Sequence, residues 1–201
     1  GEGHYTRLLR QLGADQVLGV DLSSDMIELA RAQERSHPLD IDYRVCDAGE
    51  LRLNTTVDLV FAGYLFNHAR NRDELRAQFS TVSDLLRPGG RLVALNNNPD
   101  DPPSNFEAGR PYGYSKSISG PLVEGAPIHY RFTLEDGGVF ELTDYYISRE
   151  VMQTLMEDCG LQQVRWPQPV LAPEGVEALG ADYWTAIMAT PPFCLIEATR
   201  A

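Results

Sequence analysis

The feature that most constrains this chain is a rhythm in its first hundred residues, where short apolar runs alternate with stretches of helical periodicity. Gln16-Val17-Leu18-Gly19-Val20 leads into Asp21, and Val57 to Ala62 and Arg91 to Leu95 are further runs of the same kind, while Ile41 to Val45 makes another element that ends in an acid, Asp47. Runs this short that stay apolar at successive positions read as strands of a parallel sheet, buried on both faces. Between them, Leu8, Leu9 and Leu12 recur at helical spacing before the stop at Gly13. Ser23 or Ser24 caps a helix to about Arg35 with Met26, Ile27, Leu29 and Ala30 on its inner face. Asn71 with Glu74 forms a capping box for a helix through Leu86, which Arg87-Pro88-Gly89-Gly90 stops. The expected fold is therefore α/β, a Rossmann-like doubly wound parallel sheet.

The second half departs from this alternation. Residues 96–119 are rich in Pro, Gly, Asn, Ser and Tyr, too long and polar for an ordinary connection. Two β-rich runs, His129 to Leu134 and Val139 to Ile147, flank Glu135-Asp136-Gly137-Gly138, a hairpin signal. Ser148 caps a helix from Arg149 to Asp158 that Gly160 ends, and Leu161 to Trp166 and Cys194 to Thr199 read as closing strands. The expectation is one domain over residues 1–201, with residues 99–147 inserted as a lid that carries a β-hairpin.

Charge and cysteine content narrow the function classes. The net charge of −12 has no basic cluster behind it, so the field repels phosphate backbones and anionic membranes, and the expected partner is a small molecule. The absence of a long apolar run or a basic-then-apolar leader gives a cytoplasmic expectation. Cys46, Cys159 and Cys194 are odd in number and widely spaced, as for reduced thiols, and no metal cluster is seen. Oligomeric state is not legible.

Chemistry begins at the first residues. Gly1 and Gly3 frame a turn at a helix N-terminus, where backbone amides can approach a ligand, and Asp21 follows Gly3 at the distance of a ribose-binding carboxylate. A dinucleotide fingerprint wants a third small residue where Thr6 stands, which disfavours pyrophosphate. Asp47 and Ala48 end the next strand and suit an adenine edge; otherwise Asp47 only caps a loop.

Taken in order, Gly1-Glu2-Gly3-His4-Tyr5-Thr6-Arg7, Gly19-Val20-Asp21-Leu22-Ser23, Cys46-Asp47-Ala48, Asp58-Leu59-Val60 and Leu86-Arg87-Pro88-Gly89-Gly90 resemble a class I S-adenosylmethionine-dependent methyltransferase. The resemblance covers roughly residues 1 to 100 well and implies S-adenosyl-L-methionine as cofactor. It implies that Gly1 and Gly3 approach the methionine part and that Asp21 holds the ribose. Leu22 and Met26 flank the adenine, Asp47 and Ala48 bond its edge, and Gly63 lies beneath the sulfonium. Such enzymes usually have a strand and an acid before the first glycine. Without that central strand its neighbours would have unpaired edges, at about 1 to 3 kcal/mol per buried unmet group. The natural protein is accordingly expected to extend N-terminally by at least one strand.

Tyr64 and His68 follow the Val57 run and Asn97 follows the Arg91 run, so these three lie nearest the expected chemistry. His68 is the candidate base, with Tyr64 beside it. The long second-half segment supplies flat aromatic walls, from which Tyr112, Tyr130, Tyr145 and Trp184, with Asn97, are the substrate-binding candidates. Tyr64-Leu65-Phe66-Asn67-His68-Ala69, Asn96-Asn97-Asn98-Pro99 and Asp182-Tyr183-Trp184 are similar to methyltransferases of the toxoflavin type. That likeness implies methylation of a ring nitrogen in a planar bacterial secondary metabolite, with phenol O-methylation and cofactor binding without catalysis as alternatives.

Overall fold

The computed structural model describes residues 1–134 and 136–201. The chain folds as two compact units, Gly1–Asn54 and Thr55–Ala201. Among the described residues no helix is long and apolar enough to cross a membrane.

The first unit contains α1 (His4–Gln11), β1 (Val17–Asp21), α2 (Ser24–Ser36) and β2 (Ile41–Val45). β1 and β2 are parallel, in register from Val17 opposite Ile41 to Asp21 opposite Val45. Tyr43 organises this unit: its ring is buried and passes over Gly19, where an added Cβ would lie 2.6 Å from the ring. Its hydroxyl reaches Gly3, which caps α1 with φ 92°, and a Cβ there would also lie 2.6 Å away. Both glycines are thus required by close approach, and Gly3 also by its left-handed backbone. Ser23 caps α2, its hydroxyl accepting from Met26 N at 3.3 Å. The inner face of α2 is narrower than expected. Ile27 and Ala30 are buried, whereas Met26 and Leu29 are 40% and 50% exposed. The inward stripe follows the i, i+3, i+7 line through buried Ile27 and Ala30 and half-buried Glu34, and Met26 and Leu29 stand one residue off it. Glu34 binds Arg7 at 2.8 Å and accepts Leu39 N at 2.6 Å, tying α1 and the entry to β2 onto α2.

The second unit begins with β3 (Val57–Gly63), a 3-10 turn (Phe66–His68), α3 (Arg72–Leu85) and β4 (Leu86–Asn97). It ends with α4 (Arg149–Asp158), β8 (Leu161–Arg165), α5 (Pro173–Leu179), α6 (Ala181–Ala189) and β9 (Phe193–Arg200). The sheet order is β3-β4-β9-β8, with β3 and β4 parallel and β9 antiparallel to both neighbours. The sheet is therefore mixed, and only its leading pair is parallel. Phe66, Leu75, Phe79, Leu92, Leu155 and Ile196 fill the core beneath it, each at most 2% exposed.

Two local expectations shift here. Asn71 caps α3 by accepting from Asp73 N and Glu74 N, each at 3.0 Å, but Glu74 reaches back to Arg70 N, one residue before the cap. Arg87-Pro88-Gly89-Gly90 lies within the span of β4, at the irregular start where pairing to β3 jumps from Val57 opposite Leu86 to Leu59 opposite Arg91.

Between β4 and α4 lies a three-stranded antiparallel sheet rather than a hairpin alone: β5 (Tyr114–Ile118), β6 (Pro127–Thr133) and β7 (Val139–Tyr145). Of the expected hairpin turn, Glu135 lies outside the described residues; past it, Gly137 has φ 82° and Gly138 N donates to Asp136. The strand β5 falls in the segment expected to be irregular, because its Ser-Lys-Ser centre hides the strand signal. Phe106, Ile128 and Tyr130 form the small core of this sheet.

Candidate active site

In the first unit the expected cofactor residues gather at the carboxyl ends of two parallel strands, where ligands of open α/β sheets bind. Asp21 is the last residue of β1, and its side chain is 28% exposed. Its Oδ1 accepts from Ser23 N at 2.8 Å, and Oδ2 is paired with the amino group of Gly1. Leu22 and Met26, just beyond, present apolar side chains to solvent at 71% and 40% exposure. Asp47 and Ala48 follow β2. One Asp47 oxygen accepts Gly49 N at 2.7 Å, so the residue does close a turn.

The second unit brings together residues from three distant segments. Gly63 ends β3, and Tyr64 follows with φ 52°, a left-handed backbone rare for a bulky side chain. The Tyr64 backbone is held there by donation to Leu95 O at 2.7 Å. His68 closes the 3-10 turn, its side chain 53% exposed, with Nδ1 2.8 Å from Oδ1 of Asp144 on β7. Asn97, the last residue of β4, donates from Nδ2 to the other Asp144 oxygen at 2.7 Å. Asp144 is only 4% exposed.

The substrate candidates divide into two groups. Asn97, Tyr130 and Tyr145 line one cavity of about 30 Å3 with Asn67, Asp101 and Lys116; that is the space of a water or two. Burial, then the Asp144 and Asp101 carboxylates, push the Tyr130 phenol far above its ordinary range, so it remains a neutral donor. Tyr114 beside it is pushed up to about 12, by burial and then by Asp101. Tyr112 and Trp184 lie in a separate aromatic chain: the Tyr112 hydroxyl donates to Tyr183 O at 2.7 Å, and the Tyr183 ring stands 5.2 Å from Tyr112 and 4.9 Å from Trp184.

Reading the sequence alone missed Asp144 and the buried Lys116–Asp101 ion pair, whose ammonium also lies 4.9 Å from the Phe106 ring centre. The usable signal was strand alternation. Asp144 falls in register with Phe140 and Leu142 on β7, and Lys116 with Tyr114 and Ile118 on β5, so each charge occupies an inward position.

Comparison with known proteins bears on the domain and the fold. Residues 1–90 match the family model described as "Methyltransferase domain". The ubiquinone/menaquinone biosynthesis C-methyltransferase UbiE of Desulfotalea psychrophila is 29% identical over 187 residues, 88% of this chain and 68% of that protein. The N-demethylindolmycin N-methyltransferase of Streptomyces griseus is 30% identical over 148 residues, 73% of this chain and 60% of that protein. In fold, an S-adenosylmethionine-dependent methyltransferase from Clostridium acetobutylicum superimposes with a TM-score of 0.68 at 16% identity, covering 100% of this chain and 81% of that one. Residues 1–90 are thus similar to a methyltransferase domain, and the chain shares its fold with S-adenosylmethionine-dependent methyltransferases, a likeness that supports S-adenosylmethionine as the cofactor.

Proposed function

We propose that the chain methylates a ring nitrogen of a planar heteroaromatic small molecule, a bacterial secondary metabolite of the kind handled by toxoflavin-type enzymes. The observation that carries this reading is the grouping of His68, Asn97 and buried Asp144 at the carboxyl ends of β3 and β4, with aromatic residues nearby. The likeness to an N-demethylindolmycin N-methyltransferase supports nitrogen as the acceptor atom.

The first unit fits the cofactor. The Gly1 to Gly3 turn leads into α1, and the Asp21 carboxylate ends β1 with Leu22 and Met26 exposed beside it. Gly1 and Gly3 would hold the methionine part, Asp21 the ribose, Leu22 and Met26 the adenine faces, and Asp47 and Ala48 its edge. When bound, the cofactor supplies an electrophilic methyl group. The remaining task for the protein is alignment, which contributes about 7–11 kcal/mol in favourable cases. Tyr64 and Tyr145 wall the acceptor ring, and Asn97 fixes its edge. Tyr130 backs this wall from the lid core. His68 takes the proton of an acceptor N–H. Residues 99–147 act as the lid that excludes water.

The test is methyl-labelled S-adenosylmethionine offered with matched acceptors: a pteridine-like heteroaromatic with a ring N–H, a phenol and a quinol. Label on the ring nitrogen is expected. Label confined to the phenol oxygen or a ring carbon would overturn the assignment.

A further inference from the structure

We propose that Asp144, carried by the lid strand β7, is the positioning residue that holds His68 with its proton on Nδ1 and so makes Nε2 the base. The inference rests on the reading above, in which His68 receives the acceptor's proton. Asp144 is 76 residues from His68 and 47 from Asn97 in sequence, so chain connectivity does not bring them together. Its Oδ2 nonetheless accepts from Asn97 Nδ2 at 2.7 Å, and its Oδ1, buried and without a hydrogen bond, lies 2.8 Å from His68 Nδ1 at ion-pair distance.

The chemistry follows from what a carboxylate can do. Ionised, it only accepts, so a ring nitrogen 2.8 Å away is favourable as N–H and repulsive as a lone pair. With the proton on Nδ1, the lone pair of the neutral ring lies on Nε2. When the acceptor N–H bond breaks, its electron pair stays on nitrogen for the new N–C bond and the proton moves to Nε2. The resulting imidazolium faces Asp144, whose negative charge offsets it. The Asp144 oxygen to which Asn97 donates would survive as an acceptor in an asparagine, but the oxygen that faces His68 would not.

A role in folding alone makes a different demand. Residue 144 stands across from Ile128 on the inner face of the lid sheet, where an apolar side chain would pack without the cost of burying a charge. A carboxylate at this register also couples the base to the lid, because β7 must be in place before His68 acquires its tautomer.

Nitrogen-15 NMR of the imidazoles, in protein without cofactor, reads the tautomer directly. His68 is expected with its proton on Nδ1 in the wild type and on Nε2 in Asp144→Asn, whose amide now donates to Nδ1. Turnover of Asp144→Asn should fall at least 100-fold in kcat, with KM for S-adenosylmethionine within twofold. The double variant His68→Gln/Asp144→Asn should be no slower than His68→Gln alone. Proton on Nε2 in the wild type would overturn the proposal, even if no variant folds. So would independent, multiplying losses in the double variant. If instead His68→Gln retains full turnover while the wild-type tautomer is as stated, the base assignment fails and the placement of Asp144 stands.

Discussion

Replacing Lys116 by methionine is expected to be the most destabilising single polar change in the β5–β7 sheet. The Lys116 and Asp101 side chains are 3% and 4% exposed and form an ion pair on the inner side of β5. Methionine nearly matches the volume of lysine, so the loss is electrostatic rather than a cavity. Removing one partner of a buried pair strands the other charge, at about 3–5 kcal/mol. A stranded carboxylate can escape by taking a proton, which for an aspartate at pH 7 costs about 4 kcal/mol and so caps the penalty in the same range. For a chain of this size each kcal/mol lowers Tm by about 2–4 °C, giving a drop of roughly 6–20 °C. Thermal unfolding followed by circular dichroism measures it. The double variant Lys116→Met/Asp101→Asn should recover more than half of the loss, because no charge remains buried. A single variant within about 1 kcal/mol of wild type, or a double variant worse than the single, would refute the reasoning.

In the first unit, Gly3→Ala forces a side chain onto a left-handed residue and into the Tyr43 hydroxyl, so a loss of about 2 kcal/mol is expected in urea titration, partly restored by adding Tyr43→Phe. Burial would push the Glu34 carboxyl up, but donation from Leu39, Ile41 and Asp40 amides and the charge of Arg7 outweigh it, and the net shift is downward. A lowered folded value means stability that is present above the ordinary carboxylate range and lost as pH falls through the folded value. Glu34→Gln should therefore flatten the decline in Tm between pH 5 and about 3. Burial pushes the Cys194 thiol up to about 12, so iodoacetamide at pH 8 should alkylate Cys46 well before Cys194 in the native protein, as peptide mass spectrometry would show.

The parallel leading pairs were legible because their signals are local. Val17 to Asp21 is a short apolar run and Ile41 to Val45 an alternating one, each followed by punctuation, and Ser23, Asn71 and Ser148 are caps that bond as their chemistry requires. Gly3 was legible as a turn, though the reason for it, the Tyr43 hydroxyl, comes from β2 and needed the tertiary packing. The helices α5 and α6 escaped notice because neither has a buried residue, so there is no inward stripe to read, and Gly180 between them bears no side-chain cap. In the candidate site, Tyr64, His68 and Asn97 could be placed from strand ends. Asp144 could not, since it lies on a strand whose partners are 47 and 76 residues away, and its polarity argued against burial until its partners were known. The same holds for Lys116, whose presence also concealed β5.

The assignment of the cofactor to the first unit is tested most directly by calorimetry with S-adenosylhomocysteine and NAD on the wild type and on Asp21→Ala. The Asp21 carboxylate stands exposed at the end of β1 with apolar Leu22 and Met26 beside it, so S-adenosylhomocysteine should bind and NAD should not. Asp21→Ala should weaken S-adenosylhomocysteine at least tenfold, about 1.4 kcal/mol, while Tm stays within a few degrees. Equal affinity in the two proteins, or tight binding of NAD, would contradict the account.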